Sequence, residues 1–508
     1  MALPIRQRAA LPHSPLSPAA RCDSGTRGIV LFASPTHLNP AQRQVCLAES
    51  EAPSRPFLIA KEVAGKQTSA PALSNCMKVL VFAHTPPPHH GQSYMVQMML
   101  KGFGGDCRKR RATADELKAR ERFGIQCYHV NVRLSKDLEN IGDLQVRKHA
   151  LVFWYCLQAI WCRFRHGVKV LYYIPAPGKW SALYRDWMVM LLCRPFFPHL
   201  ILHWQAAGLD RWLEMEASML ARSLTYRSLG KADVSVALSG SNCRGVGKFL
   251  PRRTCVVFNA IPDPCPDYDS TIRPRRTARH RARSKLLQGQ TLSEQERIEA
   301  GGDPEVFHCC YLALCTQEKG LFDAVDAVCA AQRELEARGS PIRLKLTIAG
   351  GFTNAEERAE FEQRRSDPVA REAIRYVGFV HGEQKHALLR DSDALCFPTY
   401  YRGENHPVST VEALAYGLPV IITRWRSLPE FFPAGYPSIV EPKDVKGLTA
   451  ALLDRIGRDD SDELRQLFLE RYTIERHLET LAAAIRSVGD EASLQRPEWL
   501  REGIVSAR

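Results

Sequence analysis

Glu404 and Glu412 stand eight residues apart in DALCFPTYYRGENHPVSTVEALAYGLPVIIT, residues 393–423. An apolar strand at 394–397 runs into a loop of Tyr, Arg and Gly that carries Glu404. Pro407 suits the start of a helix over 408–416, where its missing N–H is not needed. Gly417 and Pro419 stop that helix, and a second apolar strand at 419–423 follows. The amides of Val408, Ser409 and Thr410 at the helix start form an anion site. Glu412 lies one turn further on, and its Cβ tilts back toward the same end. Its two oxygens suit a vicinal diol such as a ribose whose phosphates cap the helix. Glu404 would then meet hydroxyls of a sugar beyond the phosphates. A plain reading stands level with this one: Glu412 complements the helix dipole and Glu404 is a solvated loop acid.

Elements of alternating type must position these groups. Apolar runs of strand length fall at 78–83, 126–131, 168–174, 199–204, 233–238 and 254–259, with helical stretches such as 144–166 and 181–194 between them. A second series follows at 306–314, 342–349, 374–379, 393–397, 419–422 and 437–440. Continuous apolar strands separated by helices imply parallel sheets covered on both faces. The expected fold class is therefore α/β, with two doubly wound Rossmann-like domains facing across a cleft, where strand carboxyl ends place ligands. The predicted organisation is a disordered extension over 1–76, a first domain over 77–264, and a basic, Pro-punctuated disordered linker or insert over 265–304. A second domain spans 305–470, followed by a helix over 471–487 and a tail over 488–508. The sequence changes character at Met77, so 1–76 reads as a disordered extension or a misplaced start, with a transit peptide as the alternative.

The composition is that of a soluble globular protein: 508 residues, 45% hydrophobic and 24% charged. The net charge of +14 is concentrated. Residues 1–76 and 101–122 each carry eight Lys/Arg against four acids, and 273–285 carry seven Lys/Arg and no acid. That placement on a tail and inserts argues against a nucleic-acid reader. Sixteen Cys include no Cys-x2-Cys pair; Cys310 and Cys315 read as part of a buried strand, and reduced thiols imply an intracellular setting. The apolar stretches at 151–162 and 187–193 are too short to span a bilayer. Clusters at Arg108–Arg111 and Arg273–Lys285 are the candidates for contact with anionic lipid, against the alternative of solvated charge runs.

The segment from ENHP to EALAYGLPVI, with Glu404 and Glu412, resembles the Glu-x7-Glu motif of retaining glycosyltransferases with the GT-B fold, of the family-four type (glycosyl transferases group 1). His406 replaces the usual aromatic. TQEKGLFDAVDA (316–327), LTIAGG (346–351) and YVGFVHGEQKHALLRDSDALCFPT (376–399) are similar to the family's phosphate-binding helix start and the strands after it. ADVSVALSGSNCRGVGKFL and VVFNAIPDP (232–264) resemble the end of its acceptor domain, with Asn259 and Ile261 matching an Asn-Gly-Ile motif and Ala260 in place of Gly. The stretch 471–485 resembles the terminal helix that crosses back to the first domain.

The resemblance implies a retaining glycosyltransferase of hexosyltransferase type. It moves a sugar from a nucleotide-diphosphate donor to an acceptor hydroxyl in glycan, polysaccharide or glycolipid synthesis, with no metal or other cofactor required. It makes Lys319 the cation at the departing diphosphate, Glu404 and Lys319 catalytic, and Glu412, Asn405 and the 408–410 amides donor contacts. The family usually places an Arg five residues before the Lys; that position is Leu314 here, and Arg402 is the substitute cation. On the acceptor side, Gly91 sits in a cleft loop that also reads as a plain turn, and Asn259 lines the cleft. LHWQ resembles a strand end with two His. His203 matches the first, a catalytic candidate although such a residue taken singly is more often a structural histidine, and Gln205 occupies the second, able to hydrogen-bond a sugar but not to carry a proton. The expected partners are the nucleotide-sugar and a glycan or lipid-linked acceptor, with no nucleic acid. The expected location is cytoplasmic, peripheral at the inner membrane face. Leu314 and Gln205 keep a second class open, a non-catalytic nucleotide-sugar-binding protein, and a nucleotide-sugar epimerase shares the two-domain plan.

Overall fold

The computed structural model describes residues 76–87, 91–108, 111–134 and 146–489; the expected extension before Met77 and the tail beyond 489 lie outside the described residues apart from Cys76. Among the described residues, twelve strands form two six-stranded sheets. The first contains β1 (Met77–Ala83), β2 (Ile125–Asn131), β3 (Val170–Tyr173), β4 (His199–Trp204), β5 (Val234–Ala237) and β6 (Arg253–Val256) in the order β2-β1-β3-β4-β5-β6. The second contains β7 (Val306–Leu312), β8 (Arg343–Ala349), β9 (Ile374–Gly378), β10 (Ala394–Phe397), β11 (Val420–Thr423) and β12 (Ile439–Val440) in the order β12-β11-β10-β7-β8-β9. All pairings are parallel. Each of the twelve apolar runs in the sequence is one of these strands. Burial on both faces is what makes them continuous rather than alternating. Along β1, Leu80 and Phe82 join the core under the helices Val146–His166 and Trp180–Cys193. Val79 and Val81 join the core under Gly91–Gly102 and Ile474–Arg486.

That last helix puts Leu478, Leu481 and Ile485 into the first sheet's core. Its approach is close: a Cβ at Gly102 would stand 2.3 Å from Leu478 Cδ1. The chain enters it through backbone bonds from Ile261 N–H to Tyr472 O (3.1 Å) and from Ile474 N–H to Ile261 O (2.9 Å).

The stretch expected as a disordered basic insert is ordered. Residues Tyr268–Leu287 form a helix that contains Pro274, and Glu294–Ala300 form another. Arg276, Arg279 and Arg283 lie on one face and are buried. Arg279 and Arg283 hold Asp393 at 3.0 and 2.5 Å. Arg276 donates to Ser392 O and Leu389 O at 3.0 and 3.3 Å. Burial alone would raise the Asp393 carboxyl, but Arg283 and Arg279 outweigh it and hold it at about 2. A run of arginines at helical spacing thus clamps the amino end of β10. Three more of the run are engaged, Arg273 with Asp462, Arg275 with Asp391 and Lys285 with Glu296, while Arg281 is exposed. Arg108 turns inward to Asp106 and the His129 carbonyl. Most of the 273–285 cluster expected to face lipid is thus paired within the protein, whereas Lys109 and Arg110 of the other cluster lie outside the described residues.

Candidate active site

In the second sheet the chain leaves β7 toward β8 on one side, while β10 lies on the other. The loops after β7 and β10 diverge there, which opens the crevice where such sheets hold ligands. After β7, Thr316 caps a short turn, Gln317–Lys319, that ends at Gly320 with φ 78°. Gly320 has a second constraint: a Cβ there would meet Pro398 O at 2.2 Å. That contact lets the two loops interlock. Tyr400 N–H donates to Glu318 O at 2.8 Å.

Lys319 Nζ meets Glu404 Oε2 at 2.7 Å, with the Glu404 side chain only 7% exposed and that of Lys319 18% exposed. Thr399 Oγ1 donates to the same carboxylate oxygen at 3.0 Å. The ammonium also lies 4.7 Å from the Tyr401 ring centre and 5.7 Å from that of Phe397, where the ring faces attract it. Lys319 and Glu404, assigned separately to phosphate and sugar, therefore form one buried unit with no net charge.

The helix Val408–Ala415 opens at Pro407 with no side-chain cap. Thr410 is fully buried, and its hydroxyl has no hydrogen-bond partner. The first turn faces the first domain: a Cβ on Gly91, at the start of Gly91–Gly102, would touch Val408 Cγ2 at 3.4 Å. Two helix N-termini thus meet at the cleft, each presenting amides that the helix leaves unpaired. Glu412 is bound by Lys385 at 2.5 Å, from the helix Gly382–Asp391. Tyr94 lies across the cleft; burial and then Glu412 push its phenol up to about 12.

Other expected site residues take different places. Asn405 is an interdomain strap, donating to Trp204 O at 3.2 Å and Gln205 O at 3.5 Å while its carbonyl accepts from Asn242 and, at 3.3 Å, Ser427. Fully committed to the chain, it is not set up to hold a donor. Asn259 is another strap, donating to His406 O at 2.7 Å. Arg402 is exposed and pairs across the cleft with Glu216 at 2.9 Å, so it does not back up Lys319. His203 belongs to the first domain's core. Its Nδ1 meets the Tyr172 hydroxyl and its Nε2 the Gln205 amide at 3.0 Å. Burial, and secondarily His477, lowers it to about 3. A neutral imidazole with both nitrogens engaged orients Gln205 and does not exchange protons in the cleft. His406 stacks among Phe258, Phe431 and Tyr472 and serves there as an aromatic ring. Burial first, then His477, holds it at about 3.

Sequence reasoning missed Lys385, Thr399 and the clamp in which Gly240 and Ser241 N–H donate to Glu430 at 2.8 Å each. The only signal for Lys385 was its place on a helix between two strands of the second series. Leu314 is half-buried, and its carbonyl accepts from the Tyr311 hydroxyl at 2.8 Å.

Residues 307–457 match the model of the glycosyl transferases group 1 family. The chain is 29% identical over 188 residues to a putative colanic acid biosynthesis glycosyltransferase of Salmonella typhimurium, covering 36% of this chain and 44% of that protein. It is 34% identical over 89 residues to an O-antigen chain mannosyltransferase of Escherichia coli, covering 17% of this chain and 22% of that protein. The chain thus matches less than half the length of either relative. Among solved structures, the Anabaena protein HepE in complex with UDP aligns with a TM-score of 0.53 at 13% identity, covering 81% of this chain and all of that one. Sucrose-phosphate synthase from Thermosynechococcus elongatus aligns with a TM-score of 0.55 at 13% identity, covering 81% and 98%. These structural likenesses are of fold, and the fold is GT-B. Among the described residues no helix is long and apolar enough to cross a membrane.

Proposed function

We propose that this chain, with a GT-B fold and a second domain of glycosyl transferases group 1, is a retaining glycosyltransferase. It would move a sugar from a nucleotide-diphosphate donor to an acceptor hydroxyl in polysaccharide or lipopolysaccharide assembly. The observation that carries the reading is the Lys319–Glu404–Thr399 unit at the switch point of the second sheet, beside the uncapped helix start at Val408. A diphosphate placed there meets the Lys319 ammonium and the 408–410 amides, charge-matched donors in a water-poor cleft. Glu412 offers its carboxylate to the ribose diol, and Lys385 fixes its orientation. As the diphosphate draws Lys319 toward itself, Glu404 is released to accept from a sugar hydroxyl. The acceptor hydroxyl then attacks the anomeric carbon on the face the diphosphate leaves, so configuration is retained. Its proton passes to the departing phosphate oxygen, because His203 is enclosed, has both ring nitrogens engaged and is too weak a base to take it. In this reading positive charge at the diphosphate comes from the chain, and no metal is required.

The relatives that name colanic acid and O-antigen chains point to a bacterial surface glycan as acceptor, and the UDP-bound neighbour makes uridine diphosphate sugars the first donors to try. Transfer and donor hydrolysis across uridine, guanosine and adenosine diphosphate sugars tests the proposal, with NMR of the product anomer for stereochemistry. One observation favours a second reading, a non-catalytic nucleotide-sugar binder: Leu314 removes one usual cation, and Glu404 neutralises the other. Tight donor binding with neither transfer nor hydrolysis would select it.

A further inference from the structure

The helix Val146–His166 is apolar on both of its faces. Val152, Cys156, Ala159 and Cys162 are buried in the first domain's core. The opposite face carries Phe153, Trp154, Leu157, Trp161 and Phe164, all exposed, Trp161 by 58% and Phe164 by 67%. A surface helix ordinarily puts charge on that face. The neighbouring helix Trp180–Cys193 continues the surface with Trp180, Tyr184 and Leu191, and Met219–Leu229 extends it with Leu220 and Leu224. Isolated exposed apolar side chains are ordinary; ten of them on three helices packed one beside the next mark an interaction surface.

Among the described residues of the stretch 148–208 the charge is almost all of one sign. Residues 148–208 contain seven Lys/Arg and a single acid, Asp186. Asp186 is fully buried and paired with Arg185. Arg165, Lys169 and Lys179 are exposed. The acids of the following helix, Leu209–Met215, are held by Lys248, and Glu216 is held by Arg402.

We infer that this face, Trp- and Phe-rich with a basic border, docks the protein on an anionic lipid bilayer. Indole and phenyl rings settle at the headgroup level, and basic residues next to them add attraction to acidic lipid. The helix lies in the interface and does not span it, as a helix of this kind does. The placement also suits the cleft. Trp180–Cys193 begins past the carboxyl end of β3, the end that faces the ligand crevice, so an acceptor held in the membrane would meet the cleft rim. The surface differs from the Arg-rich helix Tyr268–Leu287, whose cations are mostly paired with acids of the protein.

The inference stands apart from the catalytic reading, because docking needs no donor. Flotation of the full chain with vesicles of phosphatidylcholine, alone or mixed with phosphatidylglycerol, tests it. The parent should float with the mixed vesicles, and added salt should weaken that binding. Trp154→Glu with Trp161→Glu should lower partitioning at least tenfold with an unchanged melting temperature. Arg165→Glu with Lys169→Glu, which leaves the rings in place, should lower it several-fold and flatten the salt dependence. It also serves as the test if the Trp variant folds poorly. A parent that does not float overturns the inference, as does flotation that neither variant changes. A parent dimer dissolved by the Trp variant, without vesicle binding, also overturns it and assigns the face to a second copy.

Discussion

Replacing Glu404 by Gln separates the two duties that the Lys319–Glu404 unit combines. In the parent, a nucleoside diphosphate competes with a carboxylate 2.7 Å from the ammonium. A charge-assisted hydrogen bond contributes about 1.5–3 kcal/mol. If the diphosphate recovers about half of that once the carboxylate is gone, affinity rises by about 0.75–1.5 kcal/mol, roughly three- to twelvefold. Lys319 remains held by the Tyr401 and Phe397 rings, so the loop keeps its shape. Turnover should nevertheless fall, because the amide is a weaker acceptor for the sugar hydroxyl. Titration calorimetry with free uridine diphosphate, beside kcat and KM for the sugar donor, reads both quantities. Lys319→Ala gives the complementary result. Binding falls by about 1.5–3 kcal/mol, and a carboxylate only 7% exposed loses its cation, lowering fold stability by about 1–3 kcal/mol. Adding Glu404→Gln to Lys319→Ala should restore the stability but not the binding. Weaker diphosphate binding in Glu404→Gln would refute the competition and make Glu404 a direct nucleotide contact or a structural acid.

Gly320→Ala should cost about 1 kcal/mol or more in urea unfolding, since φ is 78° and the Cβ meets Pro398 O, and it should weaken nucleotide binding by displacing Lys319. Asp393→Asn leaves Arg279 and Arg283 buried without their counter-charge and should destabilise the fold by about 3–5 kcal/mol at pH 7. Asp393 is held at about 2 in the folded chain, below its unfolded value of about 3.9. Its stabilisation is therefore complete above pH 4 and lost as pH falls toward 2, a loss the Asn variant should not show. His406→Phe should raise the melting temperature slightly, because it removes two ring nitrogens that have no hydrogen-bond partner from an aromatic cluster. His406 titrates at about 3 when folded and about 6.5 when unfolded, so the gain should grow as pH is lowered from 7 toward 4.

The sequence by itself determined the local elements. Twelve apolar runs became twelve strands because a parallel strand buried on both faces must be apolar along its length. The helix at Val408–Ala415, its Pro and Gly boundaries, and the loop carrying Glu404 were legible because caps and breakers act within a few residues. Tertiary structure decided which groups meet. Lys319 and Glu404 are 85 residues apart, and they pair because β7 lies beside β10 in the sheet, a strand order that hydrophobic period does not specify. The same distance effect hid Asp393 as the partner of Arg279 and Arg283. Composition reads seven unbalanced cations as a solvated linker until Asp393, Asp391, Asp462 and Glu296, the acids that pair with five of them, are brought alongside by the fold. Tertiary structure also decided between the two readings of His203, catalytic candidate or structural histidine, by burying it in the core, since burial depends on what the rest of the chain packs over it. The helix Val146–His166 shows the converse. Its apolar residues were plain in the sequence, but a buried stripe and an exposed one look alike there, and only packing against the first sheet shows which aromatic side chains are left facing outward.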